Sequence, residues 1–196
     1  MKKIGVTGGI CSGKSTVCAY IEKLGYDVFY SDQNALYLAE NNQQLKDNII
    51  ETFGNESYCD GQYNRKFIAN IVFSDKNKLD TLNSLFKPFI TESFDNFCIS
   101  KEIVFYESAL IFEHHNENKF DFIINIYASN EVVIKRLKER NKFTNKEIEN
   151  RLNSQSSVLY KLEKSDFSID TSDGTFKKDI EYIISELKLK NVKKVS

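Results

Sequence analysis

Nine residues near the start of the chain have the types and the spacing of a phosphate-binding loop. The segment GGICSGKST, residues 8–16, fits the pattern GxxxxGK[ST]. In this pattern the backbone amides of the loop point at an anion, the lysine adds positive charge at the β and γ phosphates, and the hydroxyl after it is a ligand for Mg²⁺. The residues expected to bind the nucleotide are Gly8, Gly9, Ile10, Cys11, Ser12, Gly13, Lys14, Ser15 and Thr16.

The stretches on either side of this loop have the order that such a motif requires. The apolar run in KKIGVTG predicts a buried strand, and KSTVCAYIEKLG carries apolar residues at helical spacing. The positive end of the helix dipole adds to the attraction for an anion. The sequence therefore predicts a nucleoside triphosphate site in which Ser15 holds Mg²⁺.

A carboxylate, Asp32, follows the second predicted strand. Open parallel sheets place their active sites at the carboxyl ends of the strands, and a hydroxyl nucleophile needs a carboxylate there. An aspartate at the start of a helix is also a common N-cap. Position alone leaves these two roles for Asp32 open.

Charged residues further along the chain offer two more kinds of chemistry. Glu107 ends the run IVFYE, where a carboxylate can orient Mg²⁺ through water; a solvated residue at a strand end is the alternative, and Glu113 competes for any acidic role. Arg136 and Arg140 lie in a charged helical segment. Because guanidinium groups neutralise charge on a transferring phosphoryl group, we expect one of these arginines to be functional.

Five short apolar runs predict the strands that position these residues, at 4–7, 28–30, 103–106, 122–127 and 167–169. Helical patterns separate the runs, and this alternation predicts an α/β fold with a five-stranded parallel sheet covered by helices on both faces. The interval between the second and third strands and the interval between the fourth and fifth strands are too long for simple crossovers. We expect one domain, with a core of 1–53, 102–134 and 162–196, a helical insertion at 54–101 and a helical lid at 135–161.

Two local signals refine these insertions. Thr144 and Glu147 match a capping box and predict a helix start inside the lid. Pro88 predicts that a helix in the first insertion bends or restarts at Lys87.

Composition excludes several classes of protein. The net charge of −1 and the pI of about 6.2 argue against a polyanion such as nucleic acid as partner. No apolar run approaches the length of a membrane span, and the chain opens on a core strand, so we expect neither a signal peptide nor membrane contact. Four cysteines in no metal-ligand spacing predict reduced thiols. We therefore expect a cytoplasmic monomer that acts on small molecules.

One motif in the chain is misleading. NKFD, residues 118–121, fits the guanine-reading pattern NKxD of GTPases, yet here it precedes an apolar run instead of following one. None of the eight glycines has an aspartate three residues before it, so the DxxG switch motif is absent. The sequence therefore argues against a GTPase. The adjacent His114 and His115 complete no ligand set and receive no role.

Taken together, these motifs resemble the dephospho-CoA kinase family over nearly the whole chain. The similar segments, in order, are IGVTGGICSGKST, SDQNA, DGQYNRKFIANIVF, NSLFKPFI, SALIFE, IKRLKERN, NRLNSQ and SDFSIDTSDG. The resemblance implies that ATP donates its γ-phosphoryl group to the ribose 3′-hydroxyl of dephospho-CoA, the last step of coenzyme A synthesis, with Mg²⁺ as cofactor.

The resemblance also implies roles for individual residues. Asp32 would hold or deprotonate the acceptor hydroxyl, and Arg140, with Arg136 second, would cover the transferring group. The helical insertion would grip the pantetheine arm. The residues implied on the substrate side are Asp32, Arg65, Lys87, Leu110 and Glu113.

Four positions depart from the family pattern. Cys11 stands where a glycine or another small residue is usual, which the loop tolerates if its φ is negative. Lys87 replaces a histidine, Ala109 replaces a proline, and Glu107 stands where aspartate is frequent.

Two other functions compete with this interpretation. A nucleoside or nucleotide kinase would share the sheet, the loop and the lid, and would differ in the acceptor. A non-catalytic nucleotide switch would need switch loops, which the sequence does not reveal.

Overall fold

The structure is a computed structural model that describes residues 1–72, 75–140 and 157–189. It contains two compact units, Met1–Phe29 with Lys101–Ser196, and Tyr30–Ser100. The described helices and strands, in chain order, are β1 (Lys2–Gly8), α1 (Lys14–Lys23), β2 (Asp27–Tyr30), α2 (Ser31–Asn41), α3 (Gln43–Phe53), β3 (Tyr58–Cys59), β4 (Gln62–Tyr63), α4 (Arg65–Val72), α5 (Lys76–Phe97), β5 (Ile103–Glu107), β6 (Phe122–Tyr127), α6 (Asn130–Arg140), α7 (Val158–Lys164), β7 (Phe167–Asp170) and α8 (Lys177–Leu189).

A five-stranded sheet with the strand order β2-β5-β1-β6-β7 is the centre of the first unit. The central strand β1 pairs in parallel with β5 and β6, and β6 pairs in parallel with β7. Ile4 lies opposite Phe105 and Phe122, and all three are buried. Strands of a parallel sheet are buried in this way because helices cover both faces of the sheet. The predicted α/β fold with a five-stranded parallel sheet is confirmed.

The strand order creates a switch point at the end of β1. From β1 the chain passes to β2 and β5 on one side of the sheet, and then to β6 and β7 on the other side. Connections that leave a central strand in opposite directions open a crevice at its carboxyl end, which is where such sheets bind ligands. The predicted phosphate loop begins at Gly8, the last residue of β1.

Two amphipathic helices, α1 and α8, pack against each other in this unit. In α8 the buried residues are spaced three or four apart, as one helix face requires: Ile180, Ile183, Ile184 and Leu187.

Within the described part of the chain, no helix combines the length and the hydropathy needed to cross a membrane.

The second unit contains helices α2 to α5 around a small core of its own. Leu45 and Ile49 of α3 and Ile68 and Val72 of α4 are buried together, and side chains of α5 pack against them. Asn42 caps α3 by accepting a hydrogen bond of 2.9 Å from the amide of Leu45.

A short hairpin of β3 and β4, which was not predicted from the sequence, interrupts these helices. The turn at Asp60 and Gly61, with φ of 50° and 80°, joins the two strands. Positive φ at both central residues gives the twist that suits a two-residue hairpin. The strands have two residues each, which is too short for an alternating pattern.

Helix α5 runs without interruption past Pro88. Of the two alternatives predicted for Lys87, a restart of the helix is therefore wrong, and a bend stays a prediction. A proline inside a helix costs about 3 kcal/mol, because it removes a hydrogen bond and crowds the preceding turn. Here Leu85, Phe86 and Phe89 pack against the core of the second unit on both sides of Pro88, which holds the two halves of the helix together.

Candidate active site

The loop from Gly8 to Lys14 joins the end of β1 directly to the start of α1. Gly13 is the N-cap of α1, with φ of 94°, and its carbonyl accepts hydrogen bonds of 3.0 and 3.1 Å from the amides of Thr16 and Val17. The first amides of a helix have no partner within the helix, so they can bind an anion. The loop has the strand–loop–helix geometry predicted from its sequence.

Two glycines of this loop are required by close contacts. A Cβ atom on Gly8 would lie 2.1 Å from the carbonyl oxygen of Ile126 in β6. On Gly13 it would lie 2.9 Å from Oγ1 of Thr171, in a left-handed conformation that disfavours other residues. The glycines therefore let the loop pass close to the neighbouring strands.

Lys14 lies across the loop. Its Nζ donates to the carbonyl oxygens of Gly8 at 3.1 Å and Gly9 at 3.3 Å, and it lies 4.0 Å from Oε1 of Glu107. The side chains of Lys14 and Glu107 are 11% and 13% exposed. The structure thus brings together the predicted phosphate-binding lysine and the carboxylate at the end of β5.

Cys11 adopts a left-handed conformation, with φ of 53°. The condition under which the loop would tolerate a residue other than glycine here, a negative φ, is therefore not met. For a residue with a Cβ atom this conformation costs about 1–2 kcal/mol, because the Cβ approaches the following carbonyl oxygen. The turn of the loop therefore imposes local backbone strain at Cys11.

Arg136 and Thr171 hold the outer side of the loop. Nη1 of Arg136 donates to the carbonyl oxygen of Cys11 at 3.2 Å and to Oγ1 of Thr171 at 3.0 Å, while Nη2 donates to the carbonyl oxygen of Thr171 at 2.7 Å. The Thr171 hydroxyl in turn donates to the carbonyl oxygen of Ser12 at 2.6 Å. The predicted nucleotide residue Arg136 is therefore at the phosphate loop.

Thr171 is a residue that the sequence analysis did not select. It directly follows β7 and is 3% exposed. The rule that functional groups follow the strands of a parallel sheet was the available signal, and it applied to the fifth strand as well as to the second and third.

The turn after β5 contains two of the predicted substrate residues, Leu110 and Glu113. Leu110 is half-buried, and its amide donates to the Ser108 hydroxyl at 3.3 Å. Oε1 of Glu113 forms an ion pair of 3.0 Å with Nζ of Lys161. Lys161 was not predicted, because the sequence of a short helix does not show that one of its lysines will be buried.

Other predicted residues lie in the second unit. Asp32 is exposed in the first turn of α2, and the N-cap of that helix is Tyr30, so Asp32 is not the N-cap. Arg65 is the first residue of α4 and is exposed. Lys87 is exposed on α5, where it lines an open hollow of about 610 Å³ with Pro88 and Thr91.

The predicted lid lies partly outside the described residues. Residues 141–156, including the capping box of Thr144 and Glu147, lie outside the described residues. Helix α6 ends at Arg140, whose side chain also lies outside them.

The oxygen donors near the loop fit a magnesium ion. Ser15 is exposed in the first turn of α1 and offers a hydroxyl, and Glu107 offers a carboxylate. Mg²⁺ prefers such hard oxygen ligands and normally keeps several waters, so it does not need a dense protein cage. Among the described residues, no group of three histidine, cysteine or acidic side chains is arranged to hold a metal.

The NKFD segment lies at the opposite end of the sheet from the phosphate loop. Oδ2 of Asp121 accepts a hydrogen bond of 2.7 Å from the amide of Lys3, near the amino end of β1. Gly8 lies at the carboxyl end of the same strand. This position supports the exclusion of a GTPase.

The four cysteines, Cys11, Cys18, Cys59 and Cys98, are thiols and form no disulfide. Cys18 is a buried residue of α1. Burial raises the pKa of its thiol to about 12, and the Glu107 charge makes a smaller contribution in the same direction. A thiol with this pKa is unreactive near neutral pH.

A phosphate loop at the switch point of a five-stranded parallel sheet, followed by a helix that begins at its lysine, defines a P-loop kinase fold. Comparison with known sequences assigns the family. The profile of the family described as "Dephospho-CoA kinase" matches residues 2–177. The chain belongs to the dephospho-CoA kinase family.

Individual relatives agree with this assignment. The dephospho-CoA kinase of Listeria monocytogenes is 35% identical over 179 residues, which cover 88% of this chain and 90% of that protein. The dephospho-CoA kinase of Enterococcus faecalis is 32% identical, with 86% and 87% covered.

Solved structures have the same fold. A dephospho-CoA kinase from Campylobacter jejuni superposes with a TM-score of 0.67 at 27% identity, covering 94% of this chain and 96% of that one. A shikimate kinase from Acinetobacter baumannii has a TM-score of 0.54 at 18% identity, covering 97% and 96%, and so shares the fold alone.

Proposed function

We propose that this protein transfers the γ-phosphoryl group of ATP to the ribose 3′-hydroxyl of dephospho-CoA and so forms coenzyme A. The observation that carries the proposal is the phosphate loop with Lys14 lying across it, in a chain that belongs to the dephospho-CoA kinase family. Such a loop binds the donor, and family membership indicates the acceptor.

On the donor side, the loop amides and Lys14 would bind the β and γ phosphates. Their positive charge opposes the negative charge that spreads over the equatorial oxygens during transfer. Arg136 is already fixed at the loop through Cys11 and Thr171, which supports a role beside the nucleotide. Arg140 would cover the transferring group from the end of α6.

On the acceptor side, Asp32 would hold the 3′-hydroxyl and take its proton as the new P–O bond forms. This role is supported by its exposed carboxylate and by the identification of Tyr30 as the N-cap, which removes the capping role. A positioned general base contributes about 10²–10⁴-fold in rate. Arg65 and Lys87 would bind anionic groups of the substrate, and Leu110 and Glu113 would line its site.

Ser15 and Glu107 would hold Mg²⁺, which supplies further neutralisation of phosphate charge when bound. We further propose that residues 54–101 bind the pantetheine arm and that residues 135–161 close over the reacting groups. The absence of disulfides between the four cysteines fits a reducing compartment, so we place the protein in the cytoplasm. We further propose that it is a monomer that acts on small molecules and has no nucleic acid partner.

The test is an ADP-release assay in which the protein and Mg-ATP are combined separately with dephospho-CoA, AMP and adenosine. We expect rapid ADP release with dephospho-CoA only, and mass spectrometry should identify coenzyme A as the product. A reaction without acceptor measures hydrolysis of ATP by water, which releases ADP in every assay and must be subtracted from each rate.

The competing functions give different results in this assay. Turnover with AMP or adenosine but not with dephospho-CoA would overturn the proposed acceptor in favour of a nucleotide or nucleoside kinase. ATP binding without turnover on any acceptor would indicate a nucleotide switch.

A further inference from the structure

Lys161 is a charged side chain inside the first unit. It lies in α7, is 1% exposed, and ranks among the largest fully buried side chains of the described residues. Removing an ammonium group from water costs several kcal/mol unless partners replace its hydration. A buried lysine therefore needs specific contacts, and those contacts indicate what it holds.

Its partners lie on the turn that follows β5. Nζ donates to the carbonyl oxygen of Ala109 at 3.0 Å and lies 3.0 Å from Oε1 of Glu113. Next to Lys161, the ring of Tyr160 packs edge-on against Phe112 of the same turn, with the ring centres 5.8 Å apart. Two adjacent side chains of α7 thus hold one turn.

The same turn is also attached to β1. The carbonyl oxygen of Ala109 accepts a second hydrogen bond, of 3.4 Å, from Oγ1 of Thr7, and the amide of Ser108 donates to the carbonyl oxygen of Val6 at 3.1 Å. Thr7 is completely buried and precedes Gly8 of the phosphate loop. The turn that Lys161 holds is therefore also joined to the strand that carries the phosphate loop.

The position of the turn in the sheet indicates which substrate it serves. Arg136 and Thr171 reach the phosphate loop from α6 and from the end of β7, on the β6 and β7 side of β1. The turn follows β5, on the opposite side of β1. Because phosphoryl transfer places the attacking and leaving oxygens in line on opposite sides of phosphorus, this side is suited to the acceptor.

We propose that Lys161 is a positioning residue for the acceptor: it holds the turn at residues 109–113 in the conformation that binds dephospho-CoA, without contacting the substrate itself. This inference rests on the proposed function. A purely stabilising role is a poor explanation of the pair, because well-packed apolar residues usually replace a buried ion pair without loss of stability.

The experiment measures steady-state kinetics of Lys161→Met with each substrate varied in turn. We expect kcat/KM for dephospho-CoA to fall by about 100-fold, the loss that a displacement of about 1 Å in a site can cause, while the KM for ATP changes less than twofold. Lys164→Met is the matched control, because Lys164 is exposed on the same helix and should leave both constants unchanged.

A second variant separates positioning from folding. Lys161→Met alone leaves the Glu113 carboxylate without its buried partner, so it can unfold the protein. Lys161→Met combined with Glu113→Gln removes both charges and should melt near the wild-type temperature. Because Glu113 is itself proposed to line the acceptor site, the double variant is compared with Glu113→Gln alone, and it should show the larger loss of kcat/KM for dephospho-CoA.

The outcomes are distinguishable. Wild-type protein that does not use dephospho-CoA would refute the proposed function itself. Active wild type, together with a stable double variant whose kcat/KM for dephospho-CoA equals that of Glu113→Gln, or whose KM for ATP rises as much as its KM for dephospho-CoA, would overturn the role of Lys161.

Discussion

The hydroxyl of Thr171 links the end of β7 to the phosphate loop through the carbonyl oxygen of Ser12, at 2.6 Å. The same hydroxyl accepts a hydrogen bond from Arg136. A trans peptide directs its N–H opposite to its C=O, so this contact turns the Gly13 amide away from Thr171. One side chain therefore orients both a loop peptide and an arginine.

Replacing Thr171 with valine keeps the shape of the side chain and removes its hydroxyl. We expect the free energy of unfolding to fall by about 1–3 kcal/mol, because the buried Ser12 carbonyl loses its donor. The KM for ATP should rise, since the loop is less well ordered. Thr171→Ser, which retains the hydroxyl, is the control. Equal ATP affinity in the wild type and both variants, measured by calorimetry, would contradict the role of this contact.

Glycine at position 11 should relieve the strain of the left-handed backbone. We expect Cys11→Gly to raise the melting temperature and to increase the free energy of unfolding by up to about 1 kcal/mol. Glycine avoids the Cβ penalty of the left-handed conformation, but its more flexible unfolded state offsets part of this gain. Cys11→Ala removes the thiol but keeps the Cβ, so it should give no such gain. Equal melting temperatures for the glycine and alanine variants would show that the backbone is not strained.

Loss of the Asp32 carboxylate should affect turnover and spare ATP binding. We expect Asp32→Asn to lower kcat by about 10²–10⁴-fold, because the amide cannot accept the proton of the acceptor hydroxyl. Glu40→Gln, an exposed change near the other end of α2, is the matched control. Unchanged turnover in Asp32→Asn would exclude the carboxylate as the base.

Two tyrosines of the β3–β4 hairpin should make the second unit sensitive to alkali. Burial, mainly, raises the pKa of Tyr58 and of Tyr63 to about 12 in each case, above the ordinary 10.0. The folded state therefore favours the neutral phenols. Their contribution to stability is complete below pH 10 and is lost as pH rises from 10 to 12.

Urea unfolding at pH 9 and pH 11 tests this dependence. Tyr58→Phe should lose less stability between the two pH values than the wild type does, whereas Tyr37→Phe, at an exposed position, should match the wild type. Tyr58→Phe also loses the hydrogen bond from Tyr58 to the carbonyl oxygen of Ala39. Because this loss lowers stability at both pH values, the test compares the change in stability between pH 9 and pH 11. The same pH dependence in all three proteins would contradict the prediction.

Local sequence was sufficient for the sheet and the phosphate loop, because both depend on short patterns: apolar runs, glycine spacing and one lysine. Thr171 and Lys161 could not be predicted in the same way. Their importance comes from burial against segments that are distant in sequence, and polar residue types do not reveal such burial. The left-handed φ of Cys11 likewise follows from the path of the loop between fixed strands.

The position of β1 in the middle of the sheet has a consequence for biosynthesis. β1 is translated before its sheet partners β5 and β6, which follow only after the whole of Tyr30–Ser100 has been translated. That intervening stretch is contiguous and has its own apolar core, so it can fold while β1 still waits without a neighbour. Completion of the nucleotide site is therefore a late event in the folding of the nascent chain.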